Sequence, residues 1–172
     1  MNKVYLVGFM GSGKTTLGKK LARRLGYSFY DTDKAFEHRY KTSIDLFFTK
    51  YGENLFRELE YKLLLETFSL ENTVIATGGG TPCFFDSMEL INRLGISVYI
   101  ELTPEAIFDR LIKAKKRRPL LIHKTADEIK TFIETTLGER EQFYRLAKIT
   151  FNGISPKADL LIRQLGDEGL LF

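Results

Sequence analysis

The chain reads as an α/β protein, a three-layer α/β/α arrangement around a five-stranded parallel sheet. Short apolar or β-branched runs alternate with helical periodicities from end to end, and such alternation implies right-handed crossovers that bury a parallel sheet on both faces. The first apolar run, Val4 to Val7, passes directly into Gly8-Phe9-Met10-Gly11-Ser12-Gly13-Lys14-Thr15, which fits the phosphate-loop pattern G-x-x-x-x-G-K-[ST] at every fixed position. At 172 residues and 44% hydrophobic content, with no low-complexity tract or internal repeat, the chain suits one domain over 1–172 with a full core.

Val4 to Val7 is the first strand. In the loop after it, Gly8, Gly11 and Gly13 let the backbone adopt conformations closed to other residues, so that successive N–H groups converge on phosphate oxygens. Lys14 reaches the β- and γ-phosphates. Thr15 opens a helix whose N-terminal dipole favours negative charge, and its hydroxyl is placed to ligate Mg²⁺. The expected nucleotide contacts are Gly11, Ser12, Gly13, Lys14, Thr15 and Thr16. Leu17, Leu21 and Leu25 recur at helical spacing with Gly26 as a stop, which predicts a helix from Thr15 to Leu25.

Ser28 to Tyr30 is a short second strand ending at Asp31-Thr32-Asp33. Helical stretches follow around Lys34 to Tyr40 and from Ser43, an N-cap, to about Tyr51. A longer helix begins near Asn54, with Phe56, Leu59, Leu63 and Leu64 on its apolar face. Thr73 to Ala76 is the third strand, bounded by the turn run Thr77-Gly78-Gly79-Gly80-Thr81-Pro82. A helix from about Asp86 to Leu94 is stopped by Gly95, and Ile96 to Glu101 is the fourth strand. Thr103-Pro104-Glu105 supplies an N-cap, a proline at the first helical position and a first-turn acid. A basic, proline-containing run from Lys113 to His123 precedes a long helix at about Ala126 to Leu146. Ile149 to Phe151 is the fifth strand, and Ala158 to Leu165 closes as a helix. Ligands belong at the carboxyl edge of such a sheet, where the three motifs following strands one, two and three fall together.

A net charge of +4 and an isoelectric point near 9.1 suit anionic small molecules as well as nucleic acid. The basic residues are interleaved with 22 acidic ones except in Lys113 to Arg118, and acids at the sheet edge would repel a phosphate backbone. No nucleic acid is expected as a partner. The motifs N-K-x-D and D-x-x-G of GTPase switches are absent. The single Cys83 excludes an internal disulfide and reads as a buried, inert thiol. The apolar start runs straight into the glycine loop, unlike a signal peptide, and no later stretch approaches ~18 continuous apolar residues. A soluble, cytoplasmic protein is expected, with nothing demanding a dimer.

Several residues around the loop read two ways. Asp31 and Asp33 end strand two, where one carboxylate can face the Mg²⁺ shell and the other a substrate hydroxyl; for Asp33 the alternative is the N-cap of the next helix. Arg57 and Glu60 lie three apart on one helix face, and spacing alone favours a surface ion pair worth under ~1 kcal/mol. Gly78 to Gly80 either present bare backbone N–H groups to a ligand or make a turn. Arg140 and Tyr144, four apart on the long helix, are by spacing a solvated charged face.

Taken together these positions resemble the shikimate kinases. The resemblance runs from the phosphate loop through Asp31-Thr32-Asp33, Phe56-Arg57-Glu58-Leu59-Glu60 and Thr77-Gly78-Gly79-Gly80 to Arg118-Pro119-Leu120-Leu121 and Arg140 through Tyr144-Arg145. It implies a P-loop kinase fold and transfer of phosphate from ATP, with Mg²⁺, to the 3-hydroxyl of shikimate on the route to chorismate. On that resemblance Arg57 and Arg140 would grip the substrate carboxylate, Glu60 would hold Arg57, and Asp33 would accept from ring hydroxyls. Gly79 and Gly80 would add backbone donors, and Phe48 and Phe56 would wall the ring. Arg118 would close over the phosphates from a lid segment at about 113–125, and Arg110 would lie beside adenine. Thr77 stands where many NTPases carry a metal-binding Asp, so metal contact beyond Thr15 falls to Asp31. A gluconate kinase, of the same architecture with a different hydroxylated acid, is the alternative.

Overall fold

In the computed structural model, which describes residues 3–114, 121 and 123–170, five strands form one parallel sheet. They are β1 (Lys3–Val7), β2 (Ser28–Asp31), β3 (Thr73–Ala76), β4 (Ile96–Glu101) and β5 (Ile149–Asn152), in the order β2-β3-β1-β4-β5. The helices are α1 (Lys14–Leu25), α2 (Thr32–Tyr40), α3 (Ile44–Glu66), α4 (Ser87–Leu94), α5 (Pro104–Lys113), α6 (Ala126–Tyr144) and α7 (Ala158–Asp167).

Strand side chains alternate between the two faces, and the core divides accordingly. On one face Val4, Leu6, Val98 and Ile100 pack with Leu17 and Leu21 of α1 and Leu161 and Leu165 of α7. On the other, Tyr5, Val7 and Tyr99 meet Ile91 of α4, Ile107 of α5 and Ile133 of α6. Both faces are therefore apolar along β1, and every residue of that strand is buried. A separate cluster of Phe36, Phe47, Phe56 and Leu63 joins α2 to α3.

Predicted boundaries hold to within a residue or two, with one informative difference. The stretches expected as separate helices before and after Tyr51 form a single α3, broken at Gly52, where φ is 81° and ψ is 169°. Ser43 caps its start by accepting from Leu46 N. The kink redirects the chain so that the later part of α3 runs behind the carboxyl edge of β3. Because β1 lies between β3 and β4, the connections leaving β1 and β3 diverge, and the phosphate loop occupies the crevice between them.

Close approach of backbone fixes one glycine. A Cβ at Gly95, between α4 and β4, would lie 2.5 Å from the backbone oxygen of Lys3 on neighbouring β1. Neither strand can yield without disturbing the central register. Gly95→Ala is therefore expected to lower unfolding stability by about 1–3 kcal/mol, read from the midpoint of urea denaturation.

Candidate active site

The loop after β1 is wound as its glycines predict: φ is 139° at Gly8, 77° at Gly11 and 95° at Gly13, values that L side chains rarely adopt. Lys14 folds back across its own loop, with Nζ donating to the carbonyls of Gly8 (2.7 Å) and Phe9 (2.8 Å). Lys14 thus ties its side chain to the first two carbonyls of its own loop. Ser12 is fully buried, and Thr15 and Thr16 are exposed at the start of α1. Arg110 of α5 donates to Ser12 O (2.9 Å) and to the carbonyls of Gly153 and Ile154 beyond β5. It ties the phosphate loop to the loop after the edge strand.

Asp31 and Thr15 meet across the crevice, Thr15 Oγ1 donating to Asp31 Oδ2 at 2.8 Å. The other carboxylate oxygen of Asp31 accepts from Lys34 N and caps α2. The capping alternative considered for Asp33 is thereby corrected: Asp31 is the cap, and Asp33 sits in the first turn of α2, half-buried and on the cleft wall. The extra residue of β2 explains the shift, because strand pairing runs to Asp31 opposite Ala76. Thr32 also contributes, its hydroxyl oxygen accepting from Gly78 N at 2.9 Å. The Asp-Thr-Asp and triple-glycine motifs are stitched together there.

Arg57 is no surface residue. It is only 8% exposed, and burying a guanidinium demands compensation. Nη1 donates to Glu60 Oε2 at 2.7 Å, while Nε and Nη2 share Glu53 Oε1 at 3.1 and 2.9 Å. Its face lies against the Phe84 ring, 4.2 Å from the centroid. Glu60 is itself completed by Thr81, whose hydroxyl donates to Oε1 at 2.6 Å. The favoured expectation from spacing, an exposed ion pair, fails because the Gly52 kink turns this face of α3 inward.

The glycine run has a third explanation besides turn and donor. None of Gly78, Gly79 and Gly80 has positive φ. They leave space: a Cβ at Gly78 would lie 2.6 Å from Glu60 Oε1 and 2.7 Å from Asp33 Oδ1, and one at Gly80 would lie 2.6 Å from both Nη1 and Nη2 of Arg57. On α6, Arg140 reaches the same cleft, and Tyr144 is fully buried with its hydroxyl donating to Gly79 O at 2.5 Å. The solvated face that spacing suggested for this pair is corrected too, since α6 packs this stripe against the glycine run.

The result is a cleft of about 240 Å³ whose wall includes Asp31, Asp33, Phe48, Phe56, Arg57, Glu60, Gly79, Gly80 and Arg140, with Thr15 at its end. Phe48 and Phe56 stack with centroids 4.5 Å apart. Every substrate-side residue expected from the sequence is brought together here. Arg118, with Arg117 and the Pro119 motif, lies outside the described residues. Sequence reasoning missed Glu53, Thr81 and Phe84. Glu53 could have been found from its i, i+4 spacing to Arg57, whereas nothing in the sequence announces that the short 3₁₀ turn at Thr81–Cys83 delivers Phe84 onto a guanidinium.

For Mg²⁺ the donors present are hard oxygens, Thr15 Oγ1 and Asp31 Oδ2. No group of three or more His, Cys, Asp or Glu that could hold a metal occurs among the described residues. That sparse set fits an ion that keeps water and phosphate oxygens in its shell and takes only one or two protein ligands.

Comparison with known proteins agrees with this geometry. A family model described as shikimate kinase matches residues 10–165. Shikimate kinase from Azobacteroides pseudotrichonymphae is 49% identical over 152 residues, covering 88% of this chain and 89% of that protein. The crystal structure of shikimate kinase from Bacteroides thetaiotaomicron superposes with a TM-score of 0.92 at 41% identity, covering 99% of each chain. Shikimate kinase from Acinetobacter baumannii in complex with shikimate gives 0.88 at 35% identity, covering 100% of this chain and 96% of that one. A gluconokinase from Sinorhizobium meliloti shares only the fold, with a TM-score of 0.56 at 11% identity, covering 95% of this chain and 88% of that one.

Cys83, three residues after Gly80, is half-buried and not fully buried as the sequence suggested. Burial pushes its thiol up from 9.0 to about 11, with the charges of Arg140 and Arg57 opposing the rise. At neutral pH the group is a protonated thiol, and the thiolate is the reactive form. Alkylation by iodoacetamide should be slower at pH 7.5 than for a thiol at 9.0, because the thiolate fraction is about a hundredfold smaller, and should climb about tenfold per pH unit towards pH 11. A flat profile, measured by intact mass, contradicts this environment.

Proposed function

The chain belongs to the shikimate kinase family, and we infer that it moves the γ-phosphoryl group of ATP, with Mg²⁺, onto the 3-hydroxyl of shikimate. The observation that carries this reading is the pairing of two guanidiniums, Arg57 and Arg140, with the Asp33 carboxylate in one cleft that ends at the phosphate loop. Shikimate offers the complementary groups, a carboxylate at one end of a flat ring and hydroxyls at the other.

Arg57 and Arg140 grip the carboxylate through charge-assisted hydrogen bonds, which planar guanidiniums make better than ammonium groups. Glu60 and Glu53 keep Arg57 aimed. Phe48 and Phe56 line the ring and exclude water. Asp33 orients the 3-hydroxyl and takes its proton as the hydroxyl oxygen bonds to the γ-phosphorus; the bond from that phosphorus to the β–γ bridging oxygen breaks, and ADP leaves. Gly11, Ser12, Gly13, Thr15 and Thr16 surround the phosphates, and Lys14 exchanges its carbonyl partners for phosphate oxygens. Thr15 and Asp31 would hold Mg²⁺, which would supply neutralisation of phosphate charge there. Arg110 stands beside the adenine end. Arg118 keeps the role that the family resemblance implies, stabilising charge on the phosphoryl group in transfer.

We keep a monomer as the proposed state, and a lone cysteine favours a reducing, cytoplasmic setting. None of the described helices is long and apolar enough to cross a membrane. The acids flanking the phosphate edge disfavour nucleic acid as a partner.

Coupled ADP release should require shikimate and Mg²⁺ together and show no stimulation by gluconate. Equal release with and without shikimate would refute the assignment. Arg57→Ala removes one member of a buried, hydrogen-bonded charge cluster, and kcat/KM for shikimate should fall by the equivalent of about 2–5 kcal/mol. The KM for ATP should stay within about twofold, since Arg57 lies on the shikimate side of the cleft. An unchanged kcat/KM for shikimate leaves Arg57 without a substrate role.

A further inference from the structure

The buried tyrosine of α6 has no assigned part in the reaction, yet its hydroxyl holds one backbone carbonyl of the cleft wall and also faces the Arg140 guanidinium and the Cys83 thiol. Tyr144 is 0% exposed. Its ring lies against Tyr99, centroids 5.2 Å apart, and its hydroxyl donates to Gly79 O at 2.5 Å. Burial drives its own ionisation far above the ordinary phenol range, so the hydroxyl keeps its proton and acts as a donor at any working pH.

The consequence follows from peptide geometry. In a trans peptide the carbonyl of one residue and the N–H of the next point in opposite directions. There are no cis bonds among the described residues, so a Gly79 carbonyl fixed on Tyr144 directs the Gly80 N–H away from Tyr144. Tyr144 is absent from the cleft wall, whereas Gly79 and Gly80 form part of it. Among the described hydrogen bonds the Gly80 N–H donates to no protein acceptor, although its own carbonyl accepts from Cys83 N. Glycine places no side chain to stop that peptide from flipping, and a flip would present a carbonyl to the cleft in place of a donor.

We infer that Tyr144 is a positioning residue for the acceptor substrate: by holding the Gly79 carbonyl it aims the Gly80 N–H into the cleft as a hydrogen-bond donor to a ring hydroxyl of shikimate. Arg140, one turn earlier on the same helix, then shares a rigid mount with that donor, so the carboxylate grip and the hydroxyl donor keep a fixed separation. This rests on the proposed substrate, and it adds the residue that orients the backbone donor at the hydroxyl end.

The test uses the full-length enzyme and Tyr144→Phe, which keeps the ring on Tyr99 and deletes only the hydroxyl. The KM for shikimate should rise about tenfold, with the KM for ATP within twofold of wild type. The hydroxyl served by Gly80 is missing from one of 4-deoxyshikimate and 5-deoxyshikimate; with that acceptor the variant and wild type should differ by less than twofold while the other keeps the roughly tenfold difference, and a tenfold difference with both overturns the inference. A purely structural tyrosine would lower the melting temperature and leave these ratios unchanged, which overturns the inference. A second measurement does not depend on the variant. With ¹⁵N-glycine labelling, the Gly80 amide resonance of wild type should shift on saturation with shikimate, and no shift overturns the inference. Failure of the substrate assignment looks different, since wild type would then show no shikimate-dependent ADP release at all.

Discussion

A guanidinium held out of water governs the architecture of the substrate side. Isolated burial of that charge would be prohibitive, so Arg57 imposes requirements on everything near it. Two carboxylates from its own helix, an aromatic face from the turn after β3 and the absence of a side chain at Gly80 each answer one of them. Glu60, buried in turn, needs Thr81. The chain of dependence runs from charge to counter-charge to hydroxyl to the 3₁₀ turn, and it fixes where the segment after the glycine run must go.

The phosphate side follows a different logic. There the sheet does the positioning: β1 sits at the point where connections diverge, and its carboxyl end releases a loop that glycine conformations curl into a ring of donors. The two halves meet through single hydrogen bonds, between Asp31 at the end of β2 and Thr15 in the first turn of α1, and between Thr32 and Gly78 beyond the paired ends of β2 and β3. A parallel register that pairs Asp31 with Ala76 brings these residues to the same height. Strand pairing between β2 and β3 thus sets the height of the Asp-Thr-Asp motif against the glycine run.

Legibility from sequence followed the same division. The strands and helices were readable because their signals are local: alternation in β1, the Leu17-Leu21-Leu25 spacing of α1 and the Thr103-Pro104-Glu105 start of α5. The phosphate loop was readable because its chemistry is contiguous. What misled was inference from spacing about exposure. Arg57 with Glu60, and Arg140 with Tyr144, have the spacing of surface pairs, yet both face inward because of features distant in the chain, the Gly52 break and the packing of α6 on the glycine run. The capping alternative left open for Asp33 fails because one added residue of β2 moves the helix start. Family resemblance recovered the cleft residues that spacing alone assigned to solvent, but not Phe84 or Glu53, which matter through what they do to Arg57.

The missing side chains of the glycine run carry a consequence for how such a site can change over generations. Space left by Gly78 is filled by oxygens of Glu60 and Asp33, and space left by Gly80 by the guanidinium of Arg57. Each vacancy is a mould of a functional group elsewhere in the chain. Enlarging a glycine before its occupant has moved produces a clash, and shrinking the occupant first abandons a buried partner. Single-step routes to a new acceptor specificity are therefore closed on this wall, and divergence must proceed through paired substitutions or through residues at the open mouth of the cleft, where no atom depends on another's absence.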